Sequence, residues 1–257
     1  MMNQRQIEKD WNHLIKSEEK FLNRNLHIKS TGWQEKIDHL IPKKLNQTMN
    51  IAFFKAFGLI FEKGTGLIEK TYNREKREQN YKINEFAAEI KNSRKAMKEF
   101  GKQAKISKNT NLMISIFEGV GMGAFGMGLP DIPLFLAVLL KSIYEIALTY
   151  GFSYDSKEEQ IFILKIIETA LLHEDELLDG NVLLNNWIKE QVAFDITRIE
   201  QTRKTSNQLA KELLYLKFVQ GIPVIGIVGG ISDMVYQKKI ADYALMKYKR
   251  RFLERKR

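Results

Sequence analysis

Four carboxylates stand out in this 257-residue chain because each lies in or beside a nearly uncharged stretch: Glu118, Asp131, Glu145 and Asp233. A carboxylate removed from water without a partner is costly, so such positions either pair internally or serve a ligand. Glu118 has no easy local partner and heads the ligand-binding or buried polar candidates. Asp131 also suits the N-cap of a helix beginning near Pro133. Glu145 has Lys141 one helical turn upstream, the spacing of an ordinary surface pair. Two or more of these groups converging could hold a hard cation or a protonated amine. Their spacing is no metal motif, however, and no metal or cofactor is expected.

The remaining chemistry is sparse. His13, His27, His39 and His173 show no HExxH or other ligand spacing, and His173-Glu174-Asp175-Glu176 reads as a solvated loop. Zero cysteines exclude a thiolate nucleophile, a zinc ribbon and a disulfide framework. No G-x-S-x-G, Walker A or strand-coupled G-x-G-x-x-G context occurs. At the C-terminus, Lys247, Lys249, Arg250, Arg251, Arg255, Lys256 and Arg257 surround a single acid, Glu254, with Tyr248, Phe252 and Leu253 interleaved. Such a helix can meet anionic headgroups at about 1 kcal/mol per basic residue. It can equally be a solvated helix end whose cations complement the helix dipole.

The elements that would position these groups are unusual. Between Glu118 and Lys141 the only charge is Asp131, and Gly119, Gly121, Gly123, Gly126 and Gly128 crowd the first half. Each glycine costs up to about 1 kcal/mol in a helix interior, so the run needs a reason: close helix approach, special dihedrals or a ligand at the main chain. A backbone-lined pocket, a membrane-dipping hairpin and a tightly packed core helix with a turn all satisfy it. The Pro130-Asp131-Ile132-Pro133 break is expected to leave no apolar helix long enough for a simple span. A second such segment, residues 218–232, carries Gly221, Pro223, Gly226, Gly229 and Gly230 with no charge before Asp233. The two segments are expected to pack as a central helical pair.

Elsewhere, helical periodicity dominates and strand-like alternation is scarce. Trp11, Leu14, Ile15, Phe21 and Leu22 share one stripe with Glu18, and a short helix is predicted over 33–40. An apolar, buried helix should follow Pro42 and break at Gly64-Thr65-Gly66. Residues 72–108 read as a long exposed helix. Ser156 and Glu159 form a capping box ahead of another helix. His173 to Gly180 should end that helix and start the next, and residues 182–215 read as one or two more. The fold class is all-α, a single domain with charged helices around the two Gly/Pro segments. Forty-one Lys+Arg against thirty-one Asp+Glu give a formal net charge of +10, which favours an anionic partner. The first thirty residues show no signal-peptide pattern.

In combined order, several of these motifs resemble the EcsC family of bacterial proteins. The matching elements are Glu118-Gly119 with the Gly-rich run, Leu129-Pro130-Asp131-Ile132-Pro133, Ile143 to Ala147 ending in Tyr150-Gly151, the helix start at Glu159, and Ile222 to Gly226. The likeness runs from about Lys43 to the C-terminus, behind amphipathic N-terminal helices over 1–42. Asp233 departs from the Asn of the family pattern. The family is named for an operon that also encodes an ABC transporter, so the resemblance implies an association with membrane transport or secretion and no established reaction. The resulting expectation is a non-catalytic peripheral protein at the inner, cytoplasmic face of the cell membrane. Its partners would be anionic lipid, met through the basic C-terminal helix, and an ABC transporter, with no nucleic acid. The alternative is a hydrophobic-ligand-binding protein or hydrolase whose pocket is lined by Glu118, Asp131 and Glu145.

Overall fold

In a computed structural model the chain is described over residues 4–26, 41–91, 131–191, 194–219 and 231–257, and among these all regular structure is helical. The helices are α1 (Gln4–Leu26), α2 (Lys43–Leu59), α3 (Thr65–Glu69), α4 (Arg74–Lys91), α5 (Asp131–Thr149), α6 (Lys157–Leu171), α7 (Glu174–Glu190), α8 (Arg198–Val219) and α9 (Ile231–Lys256). The sequence dictates most of their ends. Pro42 precedes α2 in extended conformation, as a residue that cannot continue a preceding helix. Ser156 caps α6 by accepting a hydrogen bond from the Glu159 N–H at 3.1 Å. Three acids fill the first turn of α7, where they complement the positive end of the helix dipole. The α5 helix stops at Gly151: its N–H reaches the Leu148 carbonyl at 3.0 Å, and the Phe152 N–H reaches the Ala147 carbonyl at 2.9 Å. This is a Schellman motif, with Gly151 at φ +78°.

One predicted break is absent, and one predicted loop is the start of a helix. Gly64-Thr65-Gly66 does not end the helix after Pro42; the chain widens into a π-turn over Ile60–Gly64 and continues as α3. The Thr65 N–H donates to the Ile60 carbonyl across the widened turn, and the Thr65 hydroxyl adds a second bond to the same oxygen at 3.1 Å. Likewise His173-Glu174-Asp175-Glu176 is not a solvated loop. His173 is the cap residue of α7 and the acids are its first turn. Gly180 lies inside α7, where an added Cβ would stand 2.8 Å from Thr169 Cγ2 of α6, so the glycine permits close helix approach and does not mark an end.

The core is built around α5 and α6. Nearly every residue of α5 from Ile132 on is buried, against α2, α3, α4 and α9; α6 packs on α7, α8 and α9, and α8 lies along α2. Among the described residues, 132–149 alone are long and apolar enough to cross a bilayer, which overturns the expectation that the Pro break leaves no such helix. The helix runs on through Lys141 and Glu145 because their charges pair inside the protein, and 89% of that stretch is buried against other helices. The helix following Pro42 is only half as buried as predicted: Met49, Phe53 and Phe57 face the core, while Ile51 is 53% exposed. Of the predicted exposed helix over 72–108, α4 covers the described part and is largely solvated. The helix over 33–40 and the mutual packing of the two Gly/Pro segments lie outside the described residues. The helices that follow those segments, α5 and α9, do pack on each other.

Candidate functional site

Among the four candidate carboxylates, Glu145 is the one whose surroundings are described. It is 2% exposed, accepts from Arg77 of α4 at 2.7 Å, and has Lys141 Nζ at 3.4 Å. The i−4 pair foreseen with Lys141 therefore exists, but it is internal, and the second cation comes from another helix. Arg77 reaches inward because α4 lies along α5. Two cations on one carboxylate leave it committed to holding α4 on α5. Asp131 is the first residue of α5, two positions ahead of Pro133, which falls in the first turn where its missing N–H costs nothing. Asp233 belongs to the first turn of α9. Glu118 and Gly119, Gly121, Gly123, Gly126 and Gly128 lie outside the described residues.

The seven C-terminal basic residues are mostly turned inward. Lys247 is 0% exposed and donates to Glu18 of α1 at 2.7 Å and to Asn181 and Asn185 of α7 at 2.5 and 2.7 Å, so all three ammonium hydrogens are used. Arg250 shares the Glu18 carboxylate through its own hydrogen bonds and stacks over Trp11, 4.7 Å from the ring centre. Burial raises the Glu18 pKa, but Lys247 and Arg250 together outweigh it and hold the carboxyl below its ordinary value. Lys247 is pushed down to about 8, because burial and the nearby Arg250 outweigh the attraction of Glu18. Arg251 makes a two-pronged pair with Glu159 at 2.7 and 2.8 Å and sits over Phe152 and Trp187 at 4.2 and 4.7 Å. Tyr248, fully buried, donates to the same Glu159 at 2.7 Å.

Of the other four, Lys256 pairs with Glu85 at 2.6 Å and Lys249 with Asp10 at 3.6 Å. Arg255 and Arg257 are exposed, over the rings of Phe152 and Trp11 at 4.0 and 4.5 Å. The expected basic membrane face of α9 is thus largely an internal lattice of ion and ring contacts, since five of the seven charges are neutralised by carboxylates from α1, α4 and α6. Sequence reasoning missed those carboxylates. Glu18 had a visible signal, a charge within the apolar stripe of α1. Glu159 was read only as a capping-box partner, and its side chain turns away from the cap to Tyr248 and Arg251.

A third polar centre joins α6–α7 to α8 and α9. His173 Nε2 lies 3.2 Å from both Glu212 oxygens, and the Tyr236 hydroxyl donates to Glu212 at 3.1 Å. The tyrosine is held far above its ordinary pKa by burial and the adjacent carboxylate. Among the described residues no three His, Asp or Glu side chains come together as a metal site.

Exposed positive charge concentrates instead on α2 and α8. They run antiparallel, as shown by Asn50 bonded to Asn207 at 3.4 Å, Arg203 over Phe54 at 5.1 Å and Arg198 over Phe61 at 5.7 Å. Helical spacing puts Lys44, Ile51 and Lys55 of α2 beside Arg203, Asn207 and Lys211 of α8, all exposed. No acid occurs in α2, and none lies between Arg203 and Lys211. Lys204 is exposed next to Arg203. The face extends about 16 Å along α2 at 1.5 Å per residue.

No solved structure matches this chain. Among curated proteins it is similar to Protein EcsC of Bacillus subtilis (strain 168), 26% identical over 134 residues, which cover 51% of this chain and 54% of that protein. It is also similar to Uncharacterized protein YdbA of the same organism, 30% identical over 142 residues, covering 53% and 51%. The chain thus spans about half the length of the curated relatives it matches. A profile of the EcsC protein family matches residues 5–253, reaching into α1, well ahead of Lys43, where the likeness read from motifs began. On that match across the whole helical body, including the α1–α9 lattice, the chain belongs to the EcsC protein family.

Proposed function

We propose that this protein is a non-catalytic peripheral membrane factor that docks on anionic lipid at the cytoplasmic face of the cell membrane, in association with an ABC transporter or secretion machinery. The observation that carries the docking is the acid-free α2–α8 face, where Lys44, Lys55, Arg203, Lys204 and Lys211 surround the exposed Ile51. Basic residues near an anionic leaflet contribute about 1 kcal/mol each, and an exposed apolar residue among them can enter the headgroup boundary. That apolar element favours a bilayer over nucleic acid. The transporter association rests on the family resemblance alone. The α2–α8 face replaces the C-terminal helix as the docking surface, because α9 directs most of its cations inward.

Flotation with anionic and purely zwitterionic vesicles tests this reading. The wild type should float with anionic vesicles at low salt and be released at high salt. The K44Q/K55Q/R203Q/K211Q variant, altered only at exposed positions, should bind at least about tenfold more weakly, while R255Q/R257Q should bind like the wild type. Equal flotation of the quadruple variant would refute docking by this face. Duplex DNA binding with steep salt dependence and no vesicle binding would assign the charge to nucleic acid instead.

A further inference from the structure

Two clefts meet at the α7–α8 connection. The first, about 470 Å³, opens between α6, α7 and α9; the second, about 400 Å³, lies between α6, α7 and α8. Both are lined by Trp187, Phe194 and Ile196. The Phe194 ring lies parallel to Trp187 at 5.4 Å, and Trp187 is backed by Phe162 at 4.4 Å. The two spaces thus share an aromatic wall, to which the non-helical connection contributes Phe194. Either volume falls in the range of small-molecule sites, roughly 300–1,000 Å³.

The two ends differ in chemistry. The second cleft adds Leu183, 46% exposed, to the shared apolar wall, with Lys165, Glu190, Asp195 and Lys204 at its edges. At the first cleft the rim carries two cations, Lys189 and Arg255, and two acids, Glu158 and Glu254, none of them in an ion pair with a described residue. Arg251, which also lines this cleft, is already neutralised by Glu159. Burial and the neighbouring Arg251 both destabilise the Arg255 guanidinium charge, so an incoming anion would relieve it. A rim with two charges of each sign, none in an ion pair with a described residue, complements a head group that itself carries both.

We propose that the two clefts join past Phe194 and bind a single-chain zwitterionic amphiphile, with its phosphate at Lys189 and Arg255, its ammonium at Glu158 and Glu254, and its acyl chain passing Phe194 toward Leu183. The site excludes Glu145 and meets the α2–α8 face only at Lys204, which lines the second cleft. A ligand seated here would bridge α6, α7 and α9 at the end of α9 opposite the second Gly/Pro segment.

The test is calorimetric titration of the full chain with lauroyl-lysophosphatidylethanolamine below its micelle-forming concentration. Lauroyl-lysophosphatidylglycerol and free phosphoethanolamine serve as comparisons. The zwitterionic lipid should bind, the free head group far more weakly. R255Q and E254Q, both at the rim and outside the core, should each weaken binding by about tenfold, as expected on losing a charge-assisted hydrogen bond. No binding of the zwitterionic lipid would overturn the proposal. Equal or tighter binding of the anionic lipid would refute the paired-charge head site, and equal binding of free phosphoethanolamine would refute the acyl path. No bilayer is present in this assay, so its result is independent of vesicle docking; the K44Q/K55Q/R203Q/K211Q variant should bind the monomeric lipid unchanged.

Discussion

Lys247 and Glu18, 229 residues apart in sequence, meet at 2.7 Å with Lys247 fully withdrawn from water. Arg250 shares the same carboxylate, so one acid pairs with two buried cations and ties α1 to α9 and α7. A carboxylate in that position has a larger effect when removed than either cation alone. Removing one partner of a buried pair costs about 3–5 kcal/mol, because the remaining charge is left uncompensated. E18Q leaves two cations stranded and should lie at or above the top of that range. K247M leaves Glu18 still paired with Arg250 and should be much milder. Urea unfolding of the two variants checks the order, and K247M proving the more damaging would refute this account of the network.

The same lysine makes a pH dependence. In the unfolded chain Lys247 and Lys239 hold their protons to about 10.5, whereas in the folded protein burial lowers both to about 8. Between these values the unfolded state binds more protons, so unfolding free energy rises with pH. The wild type should therefore become more resistant to urea as pH increases from about 8 toward 10. Above that range the buried tyrosines oppose the trend, since their raised pKa values make the unfolded state lose protons first. K247M should keep only the part of the rise that comes from Lys239. An identical slope in both proteins would show that Lys247 titrates normally in the fold.

Much of the architecture is legible in the sequence because it follows from local rules. The stripe of α1 and the Ser156 cap each depend on a few adjacent residues, and both are found. The partners of the charges are a different matter. Glu145 could be given its i−4 lysine from spacing, but Arg77 is 68 residues away and meets it only through the α4–α5 packing. The basic run of α9 reads as a lipid-facing or a solvated helix end because charges at 247, 249, 250, 251, 255, 256 and 257 crowd its last three turns. Its carboxylate partners come from α1, α4 and α6, and no local period announces them. Gly64-Thr65-Gly66 misled for a related reason: the helix widens into a π-turn at Ile60–Gly64 and continues, a backbone adjustment that no local residue pattern announces.

Gly151 offers a test that separates backbone strain from packing. Its φ of +78° is a region that residues with a Cβ avoid, and a Cβ built there would lie 2.3 Å from the Tyr81 ring of α4. That ring cannot simply swing away, because the Tyr81 hydroxyl donates to Glu85 at 2.8 Å, and Glu85 also holds Lys256 at 2.6 Å. G151A should lose about 1–2 kcal/mol for the left-handed backbone and a further 1–3 kcal/mol, roughly, for overpacking. Introducing the same change into a Y81A background removes the clash but not the dihedral. The cost of G151A in that background should fall to the backbone part alone, giving a coupling energy equal to the overpacking part. Simple additivity of the two changes in urea unfolding would mean that Tyr81 yields freely. It would also mean that the Tyr81–Glu85–Lys256 chain does not fix α4 against the end of α9.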